Sequence, residues 1–167
     1  QKSDLIILAA RPSVGKTSLA LDLARNAAVK NGVPTVIFSL EMSKQQLVDR
    51  MLSAEAQVDG WKLRTGKLNM EEEISRLQEG MHKLMQAPIF VDDKPANTAM
   101  NMRSVLRKVS HEKQIGLVIV DYLQLMGTSK SYDNMVNQVT EISRSLKGLA
   151  KEFNVPVIAL SQLSRAV

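Results

Sequence analysis

The chain has 167 residues, of which 44% are hydrophobic and 23% charged, with no cysteine and a formal net charge of +5. That length suits one domain with a sizeable core, and the composition excludes a disordered, collagen-like or disulfide-stapled protein, any cysteine nucleophile and any thiolate metal centre. The positive balance favours a polyanionic partner, although the basic residues are scattered along the chain and not gathered in one run.

Nothing approaches the roughly 20-residue apolar run that spans a bilayer, and no charged-then-apolar leader opens the chain. A soluble, cytoplasmic protein that makes no use of a membrane is expected. The first residue is Gln1 and not Met, and Val167 falls just past a strand-like run, so the chain reads as a fragment.

In chain order, the first apolar run is Leu5 to Ala9. Ala10-Arg11-Pro12-Ser13-Val14-Gly15-Lys16-Thr17-Ser18 follows it directly and leads into a helical pattern of Leu19, Ala20, Leu23, Ala24 and Ala27, which Gly32 and Pro34 close. Gly-Lys-Thr alone is a weak signal; a strand before it and a helix after it make it a P-loop. Backbone N–H groups and the helix N-terminus can wrap the phosphates of a nucleoside triphosphate such as ATP, Lys16 can bridge the outer ones, and the Thr17 hydroxyl can hold Mg²⁺. Ala10 stands where the usual pattern begins with Gly, and its Cβ is compatible with that place only at negative φ.

The second apolar run, Val36 to Leu40, ends in Glu41. Ser43 with Gln46, and Asn69 with Glu72, have the spacing of capping pairs that open two further helices. A third run, Ile89 to Val91, leads into Asp92 and Asp93, which read either as a turn before Pro95 or as a second metal site, the turn being the preferred reading. The fourth, Leu117 to Val120, ends in Asp121, the form of a Walker B carboxylate in the Mg²⁺ shell. Gly127 to Asn134 is a polar stretch suited to a mobile loop. Met135, Val139, Ile142, Leu146, Leu149 and Phe153 then mark one face of a helix, with Glu141, Arg144, Lys147 and Lys151 on the other. The fifth run, Val157 to Leu160, precedes Gln162.

These short, nearly continuous Val- and Ile-rich runs have the pattern of buried parallel strands. Their alternation with helices predicts an α/β domain, a mostly parallel central sheet with helices on both faces and a ligand at the carboxyl ends of the strands. Hydrolysis needs a group that deprotonates or orients the attacking water, and Tyr122, after Asp121, cannot act as a carboxylate base. Glu41 closes its strand at the same edge as the P-loop and is the expected general base. For Gln162, sensing of the γ-phosphate and mere solvation of a strand end both stand on spacing. His82 and His111 read as surface or packing residues, and the nine Met residues mostly as core filling on apolar helix faces.

Five tracts together carry a family likeness: Asp4-Leu5-Ile6-Ile7 running into Ala9 to Thr17, Phe38-Ser39-Leu40-Glu41-Met42-Ser43, Leu63-Arg64-Thr65-Gly66, Asp121-Tyr122-Leu123-Gln124-Leu125, and Leu160-Ser161-Gln162-Leu163-Ser164-Arg165. They resemble, in order and over essentially the whole chain, the motor domain of the DnaB family of bacterial replicative helicases. Ala10 is what this family has at that position.

The resemblance implies a RecA-like P-loop NTPase fold and an ATP- and Mg²⁺-dependent enzyme, a homo-hexameric ring that encircles single-stranded DNA and moves 5′ to 3′. Primase and a helicase loader are implied partners of the full-length protein. Lys16, Thr17, Glu41 and Asp121 match the family's ATP-binding and hydrolysing positions, and Gln162 matches its sensor. Arg11 is open between a phosphate or neighbouring-subunit contact and a plain surface arginine. The family's arginine finger and DNA-binding loops would follow Val167, and its N-terminal domain would precede Gln1. Such fingers contribute about 10³- to 10⁵-fold in turnover, so a fragment that binds ATP but hydrolyses it poorly is expected. Three competing readings are a RecA-like recombinase, opposed by Asp121-Tyr122-Leu123-Gln124; a small-molecule kinase, for which no Arg-rich lid is found; and an assembly module that only binds ATP, opposed by Glu41.

Overall fold

The computed structural model describes residues 1–68, 71–127 and 135–163. Five strands, β1 (Leu5–Ala10), β2 (Thr35–Ser39), β3 (Ile89–Asp92), β4 (Leu117–Asp121) and β5 (Val157–Gln162), form one sheet in the order β1-β5-β4-β2-β3. Every pairing is parallel. Each strand follows its predicted run to within a residue or two, because the ladder and not hydrophobicity decides where a strand ends.

Side chains alternate between the two faces of the sheet, and both faces are covered, which is why the runs are continuously apolar. Ile37, Ile119 and Leu160 face α1 (Lys16–Arg25) and α2 (Lys44–Ala56), packing on Ala20, Leu21, Ala24, Leu47 and Met51. α3 (Gly60–Thr65) and α4 (Glu71–Gln86) belong to the same side, with Leu84 of α4 against that cluster. Val36, Phe38, Val118, Val120, Val157 and Ala159 face α5 (Ala99–Glu112) and α6 (Met135–Glu152) through Met102, Leu106, Ile142, Leu146 and Leu149.

Local signals act where the sequence places them. The Ser43 hydroxyl accepts from Gln46 N–H and the Gln46 side chain accepts from Ser43 N–H, a complete capping box on α2. After α1 the helix widens into a π-helical turn, Asn26–Lys30. It stops where Gly32, at φ +62°, donates to Ala28 O and Val33 N donates to Ala27 O. The Asn69 cap expected for α4 lies outside the described residues, as does the expected mobile loop beyond Gly127.

Two expectations need correction. Among the described residues β1 is an edge strand that pairs only with β5, and Ile6 and Ile7 are 46% and 45% exposed rather than buried. Of the methionines described, Met51, Met102 and Met126 are in the core, but Met81, Met85 and Met100 are exposed, Met85 to 78%. Periodicity cannot tell an apolar face that meets the sheet from one that does not. No helix among the described residues is long and apolar enough to cross a membrane.

Gly116, at the entry to β4, shows how closely the sheet meets its loops. A Cβ there would come within 2.4 Å of Val33 Cγ1. Val33 is β-branched and cannot swing aside, so Gly116→Ala is expected to cost about 1–3 kcal/mol of stability. Urea denaturation of the domain would show this as a lower midpoint at unchanged slope.

Candidate nucleotide site

The site is assembled at the carboxyl edge of the sheet. β1 delivers the chain at Ala10, which is in extended strand and not among the positive-φ residues, so its Cβ meets no conflict. The positive φ angles of the turn fall at Ser13 (64°) and Gly15 (91°). Gly15 is the N-cap of α1 and supplies no side-chain cap, which leaves the first-turn N–H groups to an anion.

Lys16 Nζ donates to Ala10 O at 3.0 Å and to Arg11 O at 3.4 Å, folding the side chain over its own loop. Ala10 O also accepts from Leu163 N at 3.1 Å, and Ala10 is in register with Gln162, so the start of the loop and the end of β5 are tied together. Thr17 Oγ1 donates to Asp121 Oδ2 at 2.7 Å across 104 residues of sequence.

Glu41 is placed by β2. Ser39 is level with Asp121, and Leu40 N donates to Asp121 O at 2.7 Å. The Ser39 hydroxyl then donates to Met42 O and accepts from Met42 N, closing a tight turn with Glu41 exposed at its tip.

One open cleft of about 460 Å³ brings the candidates together. Pro12, Ser13, Gly15, Lys16, Thr17 and Ser18 line it together with Glu41, Asp121 and Gln162. Three of the expected loop residues do not line the cleft. Ala10 contributes its carbonyl to Lys16, Arg11 does the same with an exposed side chain, and Val14 is turned out to solvent.

Three lining residues were not expected at the site from the sequence, Met42 next to Glu41, Arg50 on α2 and Tyr122 after β4. Arg50 lies nine residues beyond Glu41, within the helix that follows it. Only the packing of α2 beside the P-loop turns it to the cleft.

Asp121 is 3% exposed, and burial is the main force raising its carboxyl above the ordinary 3.8. The Thr17 hydrogen bond opposes that, the charge of Glu41 adds to it, and Lys16 and Arg50 oppose it. Tyr122 is held above its usual 10.0 by burial and then by the charges of Glu41 and Asp121, so it faces the cleft as a neutral phenol.

Among the described residues no group of three or more His, Cys, Asp or Glu side chains could hold a metal by itself. The donor set at Thr17 and Asp121 does fit Mg²⁺, which binds hard oxygens through one or two carboxylates and completes its shell with phosphates and water. Asp92 and Asp93 are used otherwise. Asp92 accepts from Lys94 N in the expected turn, and Asp93 accepts from Lys44 N at 2.7 Å in the first turn of α2. His82 pairs with Gln86 on an exposed face and His111 is exposed.

A phosphate loop between a parallel strand and a helix, an acidic strand end hydrogen-bonded to its threonine, and a third strand between the two define a P-loop nucleotide-binding domain of the RecA-like type. Its relatives make the class specific. The chain belongs to the DnaB-like helicase C terminal domain family, which matches residues 1–167.

The replicative DNA helicase DnaB of Geobacillus stearothermophilus is 52% identical over 168 residues, covering all of this chain and 37% of that protein. The chain therefore spans little more than a third of that relative. The replicative DNA helicase DnaC of Bacillus subtilis is 49% identical over 168 residues, again covering all of this chain and 37% of the relative. Among solved structures, a DnaB-like replicative helicase, solved with its interactions with primase, superposes with a TM-score of 0.93 at 32% identity, over 99% of this chain and 40% of that one. A separately solved ATPase domain gives 0.92 at 32% identity, over 99% and 59%.

Proposed function

We propose that this domain is the ATP-hydrolysing motor of a replicative DNA helicase. The observation that carries the reading is the meeting, in one cleft, of Lys16, the Thr17–Asp121 pair, Glu41 and Gln162, delivered by four different strands. Residues Pro12 to Ser18 wrap the triphosphate, with Lys16 exchanging its loop carbonyls for the outer phosphates. Thr17 and Asp121 hold Mg²⁺, which when bound neutralises charge on the phosphate oxygens. Glu41, exposed at its turn, takes a proton from the attacking water, and Gln162 contacts the γ-phosphate.

In the whole protein, turnover drives a homo-hexameric ring 5′ to 3′ along single-stranded DNA and separates the strands of a fork in the cytoplasm. The net charge of +5 accords with a partner held chiefly through its phosphates, so affinity falls steeply with added salt. The solved relative's interactions with primase support primase as a partner, and a helicase loader is proposed beside it. The full-length protein should unwind forks bearing a 5′ single-stranded tail and fail on forks with only a 3′ tail, with ATPase activity stimulated by single-stranded DNA. A monomer indifferent to DNA would refute the reading.

Arg50 supplies the cleft with a cation in addition to Lys16. Arg50→Ala is expected to raise the KM for ATP about tenfold with a smaller change in kcat, the scale of one charge-assisted hydrogen bond. Steady-state phosphate release at varied ATP separates the two constants.

A further inference from the structure

The end of β5 is held in an unusual way. On its β1 side the ladder continues to Ala10 and Gln162, but on its β4 side it ends at Val120 and Ala159. Ser161 and Gln162 therefore extend beyond their last backbone partners in β4.

The side chain of Gln124 takes the place of the missing strand. Its Nε2 donates to Gln162 O at 2.9 Å and to Ser161 Oγ at 3.0 Å, and its Oε1 accepts from Gln162 N at 3.3 Å. A primary amide presents the same donor and acceptor as a peptide group, so it satisfies both backbone groups of one residue as a neighbouring strand would.

Gln124 is itself rigidly placed. It sits in a 3₁₀ turn, Leu123–Leu125, that begins two residues after Asp121. Leu123 and Met126 are buried on either side of it, Leu125 N and Met126 N close the turn on Tyr122 O and Leu123 O, and Gly127 N donates to Asn97 O. A lysine, glutamate or leucine at this position would fill the same space but could not serve both groups.

We infer that Gln124 is a positioning residue that fixes Gln162 against the nucleotide, linking the strand end that carries Asp121 to the one that carries Gln162. This rests on the reading of Gln162 as the γ-phosphate contact. The amide acts on the backbone of Gln162 and touches no phosphate, so its loss should misplace Gln162 during turnover without weakening the P-loop's hold on ATP.

The test uses the full-length protein with single-stranded DNA and compares Gln124→Met, Gln124→Glu, Gln162→Ala and the Gln124→Met/Gln162→Ala double variant. Met keeps the length and volume of Gln without its hydrogen bonds, and Glu keeps the acceptor but loses the donor. Gln124→Met should lower kcat about tenfold, the scale of one or two net hydrogen bonds, at unchanged KM for ATP. Gln124→Glu should also lower kcat, and the double variant should be no slower than Gln162→Ala alone.

Amide exchange at Gln162 should speed up in Gln124→Met while the core of β5 keeps its protection. Wild-type kcat in both Gln124 variants, or losses that multiply in the double variant, would overturn the proposal and leave the reading of Gln162 intact. Wild-type turnover in Gln162→Ala would remove that reading and this proposal with it. Should Gln124→Met not fold, Gln124→Glu and its double with Gln162→Ala decide by the same criteria.

Discussion

Glu41→Gln is expected to lower ATP turnover by about 10²- to 10⁴-fold, the usual worth of a general base, while nucleotide affinity stays as it is. The substitution keeps the size of the side chain and its ability to hydrogen bond, and removes only the capacity to accept a proton. Affinity should survive because Glu41 stands apart from the loop that wraps the phosphates. It is the exposed tip of a turn held by Ser39 and Met42, at the end of a different strand from the one that leads into Lys16 and Thr17.

Among the described residues that line the cleft, no other group can replace it. Tyr122 is pushed away from ionisation by burial and by both nearby carboxylates, and Asp121 is engaged by Thr17. Phosphate release by the DNA-stimulated full-length protein and equilibrium titration with a fluorescent nucleotide would measure the two quantities. Turnover within tenfold of wild type would show that the base is elsewhere, and parallel loss of affinity would show that Glu41 holds the nucleotide instead.

Much of this site was legible in the sequence. β2, β4 and β5 read correctly as parallel strands because a strand covered on both faces must be apolar throughout, and β1 was found by the same apolar run although Ile6 and Ile7 are exposed. Residues that end such strands, Glu41, Asp121 and Gln162, are then forced to one edge, and the sheet order places them in one cleft. The negative φ that Ala10 requires is met in the backbone, since strand geometry persists through it and the left-handed turn begins later, at Ser13.

What could not be read depends on partners distant in sequence. Arg50 faces the cleft because α2 packs beside α1, and nothing within α2 marks that face. The open side of β1 reflects its place at the sheet edge, which no property of Leu5–Ala10 reveals. Gln124 had no signal of its own either. Its role depends on β4 pairing with β5 for fewer residues than β1 does, a matter of register.

Asp121→Asn is expected to separate stability from function, raising the melting temperature of the domain at neutral pH while lowering Mg²⁺-dependent turnover by about 10²-fold or more, since several kcal/mol of charge stabilisation depend on the metal. Burial raises the Asp121 carboxyl above 3.8, so the folded state holds that proton more tightly than the unfolded chain does. Stability therefore falls as pH rises from that ordinary value through the raised folded one, and at neutral pH the full cost of the buried charge is carried. Asn removes the charge and keeps an oxygen to accept from Thr17. For a domain of this size the gain should be about 2–4 °C for each kcal/mol recovered. The difference should shrink as pH falls toward the ordinary carboxylate range, where the wild-type side chain is itself protonated. Mg²⁺ with nucleotide should raise the melting temperature of the wild type and do so much less in Asp121→Asn, so that saturating ligand narrows or reverses the order of the two proteins. Melting curves across pH, with and without Mg²⁺-nucleotide, would show both effects. A lower melting temperature for Asp121→Asn at neutral pH without ligand would mean that the Thr17 hydrogen bond to the charged carboxylate outweighs its burial.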